Sequence, residues 1–140
     1  MKTLLKLASV TATIASAVLM TAAAAYATPQ CDMAFYDHNG SEMAVHVCDG
    51  EMVIEYENPR KGISAKSGTV LFRGEMFEMT GGSKINGRAR VFRRGCKPAS
   101  YEVNGWMENG TITMAGRAPV RGSDCKVRRY RNDKLLFRGL

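Results

Sequence analysis

Met43-Ala44-Val45-His46-Val47-Cys48-Asp49-Gly50-Glu51-Met52-Val53-Ile54-Glu55-Tyr56 is the stretch that decides the fold. At its centre, Asp49-Gly50 suits the positive φ angles of a two-residue hairpin turn. Counting outward from that turn sets Val47 opposite Met52, Val45 opposite Ile54 and Met43 opposite Tyr56, which places all six side chains on one face. The other face receives His46 opposite Val53 and Ala44 opposite Glu55. Turn chemistry and apolar pattern choose the same register independently, and a slip of one residue would turn the whole apolar set outward.

A second hairpin is centred on Asn109-Gly110 and joins 101–108 to 111–118. Met107 then meets Ile112 and Gly105 meets Met114, with Val103 and Tyr101 extending that face. The opposite face sets Glu102 across from Arg117 and Trp106 across from Thr113, so Trp106 points away from the apolar side. Further strands are expected at 33–38, 69–73, 75–79, 88–94, 126–130 and 135–138, with glycine and asparagine marking most joins. Exposed loops are expected at 58–62 and 81–83, and no segment offers a sustained helical period. The expectation is an all-β chain: a small disulfide-stabilised antiparallel barrel or sandwich of roughly eight to ten short strands.

Residues 1–27 read as a cleavable signal peptide. Lys2 and Lys6 form a positive start, 7–20 an apolar stretch, and Ala25-Tyr26-Ala27 a small-residue cleavage site. Residues 28–140 then form a single β domain of a size that folds alone with modest help from crosslinks. The expected location is the periplasm or the extracellular space. The apolar run is short and interrupted, so a membrane-spanning chain is not expected. Thr28-Pro29-Gln30 does not resemble the small-residue box before a lipidated cysteine. The four cysteines, Cys31, Cys48, Cys96 and Cys125, permit three connectivities. Pairing Cys31 with Cys48 and Cys96 with Cys125 is favoured, because each bridge closes a loop within one half of the chain. Zinc coordination would need paired short Cys or His spacings, which the sequence lacks.

The net charge of +7 is unevenly distributed. Acids outnumber bases over 28–80. From Gly81 onward fourteen lysines and arginines face only Glu102, Glu108, Asp124 and Asp133. Such asymmetry calls for pairing between the halves or for an anionic partner. In Arg88-Ala89-Arg90-Val91-Phe92-Arg93-Arg94, strand alternation would send Arg88, Arg90 and Arg94 to one face beside Phe92; Lys126, Arg128 and Tyr130 repeat the pattern. Guanidinium groups interleaved with aromatics grip carboxylates or phosphates through bidentate bonds and stacking. The plainer reading of the same residues is a solvated face.

Chemistry beyond binding finds little support. The two histidines, His38 and His46, lie in no metal or triad motif, and neither a nucleophile elbow nor a phosphate-cradling loop is present. Glu55 and Glu57 share a strand face, an arrangement common among surface carboxylates. Met33, Met43, Met52, Met76, Met79, Met107 and Met114 could with a histidine hold copper, but several fall on the expected core faces, where methionine fills gaps. No metal, cofactor or catalytic residue is expected. Asn39-Gly40-Ser41 and Asn109-Gly110-Thr111 read as turns.

The whole mature region resembles a group of small exported bacterial proteins to which no activity is assigned. The likeness rests on Tyr56-x-x-Pro59-Arg60-x-Gly62 before Leu71-Phe72-x-Gly74, a strand after Cys96, Tyr101-x-Val103-x-Gly105, and an Ala118-Pro119…Cys125 end. A local likeness is to periplasmic inhibitors of c-type lysozyme, small disulfide-stabilised β-barrels. It is carried by Val47-Cys48-Asp49-Gly50, Asn58-Pro59-Arg60, and Gly62-Ile63-Ser64-Ala65 with Ser67-Gly68. It implies an inhibitory loop at Ser67 and Gly68. The net positive charge opposes it, since those lysozymes are themselves cationic and only the acidic half would attract them.

The sequence thus implies an exported, non-enzymatic binding module. Its expected contact residues are Arg88, Arg90, Arg94, Arg128 and Trp106, and its expected partner is an anionic cell-envelope polymer or an acidic protein. Export disfavours nucleic acid. Lysozyme inhibition is the alternative and a small hydrolase the third reading.

Overall fold

A computed structural model describes residues 29–140, and the expected signal peptide lies outside them. Eight antiparallel strands follow one another: β1 (Cys31–His38), β2 (Ser41–Cys48), β3 (Glu51–Asn58), β4 (Val70–Met79), β5 (Gly82–Val91), β6 (Ala99–Glu108), β7 (Thr111–Arg121) and β8 (Val127–Gly139). Each pairs with the next and β8 returns to β1, so the sheet closes as an up-and-down barrel rather than a sandwich. Both disulfides are the favoured ones, Cys31–Cys48 and Cys96–Cys125. They fit an oxidising compartment.

The β2–β3 hairpin has the expected register, with Val47, Val45 and Met43 opposite Met52, Ile54 and Tyr56. Asp49 and Gly50 both adopt positive φ, at 50° and 83°. Met43, Met52, Ile54, Phe72, Ile85, Ile112, Met114 and Phe137 are completely buried and fill the barrel. Three of the methionines considered for copper are therefore core. The outward faces carry Lys84, Arg88, Glu102 and Arg117, the inverse of a barrel that faces lipid. No helix among the described residues is long and apolar enough to cross a membrane.

Three expectations change. Segments 69–73 and 75–79 fuse into β4 across Gly74, while 126–130 and 135–138 fuse into β8 across Asn132-Asp133. Gly74 pairs with Gly87, and a Cβ on either would collide with backbone and with the Phe72 ring. Glycine here makes room for a core aromatic instead of ending a strand. Gly82 and Ser83 open β5, and Ser83 is buried rather than exposed. Glu102 bonds Arg88 on β5 at 2.5 Å, not Arg117, because the β6–β7 register ends at Val103–Gly116.

Strand direction sorts the connections. Asp49-Gly50, Thr80-Gly81 and Asn109-Gly110 make tight turns at one end of the barrel. The long loops 59–69, 92–98 and 122–126 gather at the other end, together with the Asn39-Gly40 turn. Cys31–Cys48 ties β1 to β2 near the tight-turn end, whereas Cys96–Cys125 staples two long loops together.

Candidate functional site

The sequence gradient of charge becomes an axis in space. Asp49, Glu51, Glu75, Glu78 and Glu108 sit in or beside the tight turns. The long loops bring Arg60, Lys61, Lys66, Arg93, Arg94, Lys97 and Lys126 to the opposite end. Of the carboxylates at that end, Asp37 accepts from the Gly40 amide, Asp124 from Arg128 at 2.7 Å and Asp133 from Tyr101, while Glu42 at the start of β2 and Glu57 at the end of β3 are outnumbered by these cations. The loop end is therefore electropositive.

At its centre is an open cleft of about 440 Å³ in the barrel mouth. Leu71, Val91, Phe92 and Leu135 form apolar wall, and Arg60, Arg90, Arg131 and Lys134 supply cations around it. Tyr56 near the end of β3 and Tyr101 near the start of β6 close the floor, and Phe92 meets Tyr56 edge-on with ring centroids 6.2 Å apart. Inward alternation on β8 brings Phe137 and Leu135 into the core and then, further up, Asp133 and Arg131 into the mouth. Tyr101 donates to Asp133 at 2.5 Å, and Arg131 lies 3.5 Å from the other carboxylate oxygen. Burial, reinforced by the bond to Asp133 and its negative charge, pushes the Tyr101 hydroxyl far above the ordinary phenol range. Burial also raises Tyr56, opposed by the nearby Arg60 charge. Both hydroxyls stay protonated at neutral pH, the Tyr101 proton being held by Asp133.

The expected contact residues separate. Arg90 lines the cleft. Arg88 is held by Glu102 and Arg128 by Asp124, both in exposed pairs. Because β5 ends at Val91, Arg94 lies in the following loop rather than on a strand face with Arg88 and Arg90, though it still belongs to the basic end. Trp106 points outward, as expected, but lies half-buried near the tight-turn end against Gly82. Ser67 and Gly68 form a turn beside Lys66, where the Gly68 amide donates to the Tyr56 carbonyl at 2.8 Å. That loop shares the basic end, away from the acids of the tight turns.

The histidines are placed structurally. Nδ1 of His38 donates to the Leu136 carbonyl at 2.9 Å, its Nε2 accepts from Asn39, and its ring stacks on Phe137. His46 meets Glu55 at 3.2 Å across the β2–β3 ladder on the outer wall. No cluster of metal-ligating residues occurs among the described residues. Arg131, Asp133 and Lys134 were not singled out from sequence. Arg121 was missed as well: its guanidinium donates to the carbonyls of Lys97 and Val91 and locks the end of β7 to the β5–β6 loop.

Comparisons with models of known families, with curated proteins and with solved structures find no match.

Proposed function

We propose that the protein is an exported, non-enzymatic binding module that takes an anionic partner of the cell envelope at its loop-bearing end. The observation that carries this reading is the convergence of Arg60, Arg90, Arg131 and Lys134 on one open cleft, with a single carboxylate between them that Tyr101 and Arg131 already occupy. Guanidinium groups receive carboxylates or phosphates as bidentate forks, and the Tyr56 hydroxyl adds a neutral donor, that of Tyr101 being committed to Asp133. The apolar wall gives such a ligand a face to lie against. The periplasm or extracellular space is the natural setting for a domain crosslinked at both ends of its barrel.

The experiment is retention of the oxidised mature domain on an anionic envelope fraction and on immobilised c-type lysozyme, at low and moderate salt. Retention by the anionic fraction that fades as salt rises supports the reading. Retention by lysozyme alone overturns it in favour of inhibition. The surroundings of Ser67 and Gly68 oppose that outcome, since Lys61, Lys66 and Arg60 occupy the same loop and repel a cationic enzyme.

A further inference from the structure

The barrel closes unevenly, and the unevenness has a consequence for how a partner can be held. β8 reaches β1 only through Tyr36–Gly139 and Asp37–Arg138, with the Leu140 amide donating to Phe35 just beyond. Above that point β1 has turned away at Asn39-Gly40, while β8 continues upward, paired among the described residues with β7 alone. Residues 127–132 are all exposed.

The free groups can be assigned. The Gly139 amide donates to Gly110 on the β7 side, and the Leu140 amide donates toward β1. Antiparallel alternation then directs the odd-numbered residues of β8 at β7 and the even-numbered ones away from it. The Leu136 carbonyl, which accepts the hydrogen bond from His38 Nδ1, obeys this rule. So does Pro119: its partner is Tyr130, and a non-hydrogen-bonded pair is where a residue without an amide proton costs the β7–β8 ladder nothing. Tyr130, Asn132 and Lys134 therefore point their N–H and C=O groups out along an open edge. The opposite edge of this ribbon is blunted by Pro119, whereas the β8 edge has no proline.

We infer that the free edge of β8 receives an extended acidic polypeptide segment as an added strand. Pairing at Tyr130, Asn132 and Lys134 would supply the backbone bonds, and Arg129, Arg131 and Lys134 the complementary charge. Strand addition to an open sheet edge draws its affinity from main-chain hydrogen bonds and its selectivity from neighbouring side chains. Cations along an edge guard against pairing with a second copy, because like charges would face each other. They leave an acidic strand as the complementary occupant. This inference rests on the anion-binding reading of the same end and narrows the partner to a protein segment.

The test uses the full mature domain with two probes, a short peptide alternating glutamate and threonine, and dextran sulfate as a polyanion without a peptide backbone. Amide hydrogen exchange at Tyr130, Asn132 and Lys134 should slow at least tenfold with the peptide. N-methylation of alternate peptide amides should weaken binding at least tenfold, and so should Tyr130→Pro, which leaves the β7–β8 ladder intact. Equal binding of the methylated peptide, or peptide binding without protection, overturns strand addition while leaving the basic end as an anion site. Binding of dextran sulfate without the peptide also overturns it and assigns the end to a polymer. Failure of both probes overturns the anion-binding reading itself.

Discussion

Removing the two disulfides one at a time separates stability from function in this barrel. Cys96–Cys125 spans a sequence separation of 29 and Cys31–Cys48 one of 17. The loop-closure relation then assigns them about 3.6 and about 3.1 kcal/mol of stabilisation, through restriction of the unfolded chain. Replacing either pair by serine should lower Tm by on the order of 12 °C or more, at roughly 4 °C per kcal/mol for a domain of this size. The two variants should thus resemble each other in thermal unfolding followed by circular dichroism. They should differ in binding. Cys96–Cys125 joins the β5–β6 and β7–β8 loops at the basic mouth, and its loss leaves that region to weaker contacts such as the Arg121 clamp. Cys31–Cys48 joins a strand pair that the β1–β2 ladder already aligns from end to end, at the tight-turn end. Well below both melting temperatures, polyanion affinity should fall several-fold without Cys96–Cys125 and stay unchanged without Cys31–Cys48. Equal losses of affinity, or a larger loss in the Cys31–Cys48 variant, would refute the placement of function at the loop end.

Phe72→Ala should cost about 3–5 kcal/mol in urea unfolding, because the ring is wholly buried over the Gly74–Gly87 pair and neither glycine can move a side chain into the space. Tyr101→Phe should destabilise by about 1–3 kcal/mol at neutral pH by leaving the half-buried Asp133 without its donor. The same variant should change alkaline unfolding. The folded hydroxyl titrates above its unfolded value of 10.0, so its contribution is complete below that pH. Above it the contribution falls by about 1.4 kcal/mol per pH unit as the unfolded chain loses the proton, and Tyr101→Phe should remove that component. Arg88→Ala should change stability by less than about 1 kcal/mol, since its pair with Glu102 is exposed on both sides, and should leave polyanion affinity intact where Arg90→Ala lowers it.

What the sequence discloses depends on how local the cause is. The registers flanking Asp49-Gly50 and Asn109-Gly110 follow from turn chemistry and period-two alternation within a few residues, and both are legible. Gly74 and Asn132-Asp133 mislead because their local propensity is for breaks. Glycine at 74 answers to the Phe72 ring above it, and Asn132 and Asp133 are held straight by the β7 ladder, neither visible along the chain. The basic character of the second half is legible, but its focus is not. Tyr101 and Asp133 are 32 residues apart and meet only because β6, β7 and β8 lie side by side. Conversely, Arg88 and Arg128 look available in sequence until the fold supplies Glu102 and Asp124 beside them.

The most direct measurement is the salt dependence of dextran sulfate binding to the oxidised domain, compared between the native chain and the triple variant Arg60→Glu, Arg90→Glu and Lys134→Glu. All three side chains ring the mouth and are available to a ligand there. Native binding that weakens steeply with salt, and is abolished in a variant that still folds, is the result this account predicts. Unchanged affinity in the folded triple variant would contradict it and remove the loop-bearing end as the working surface.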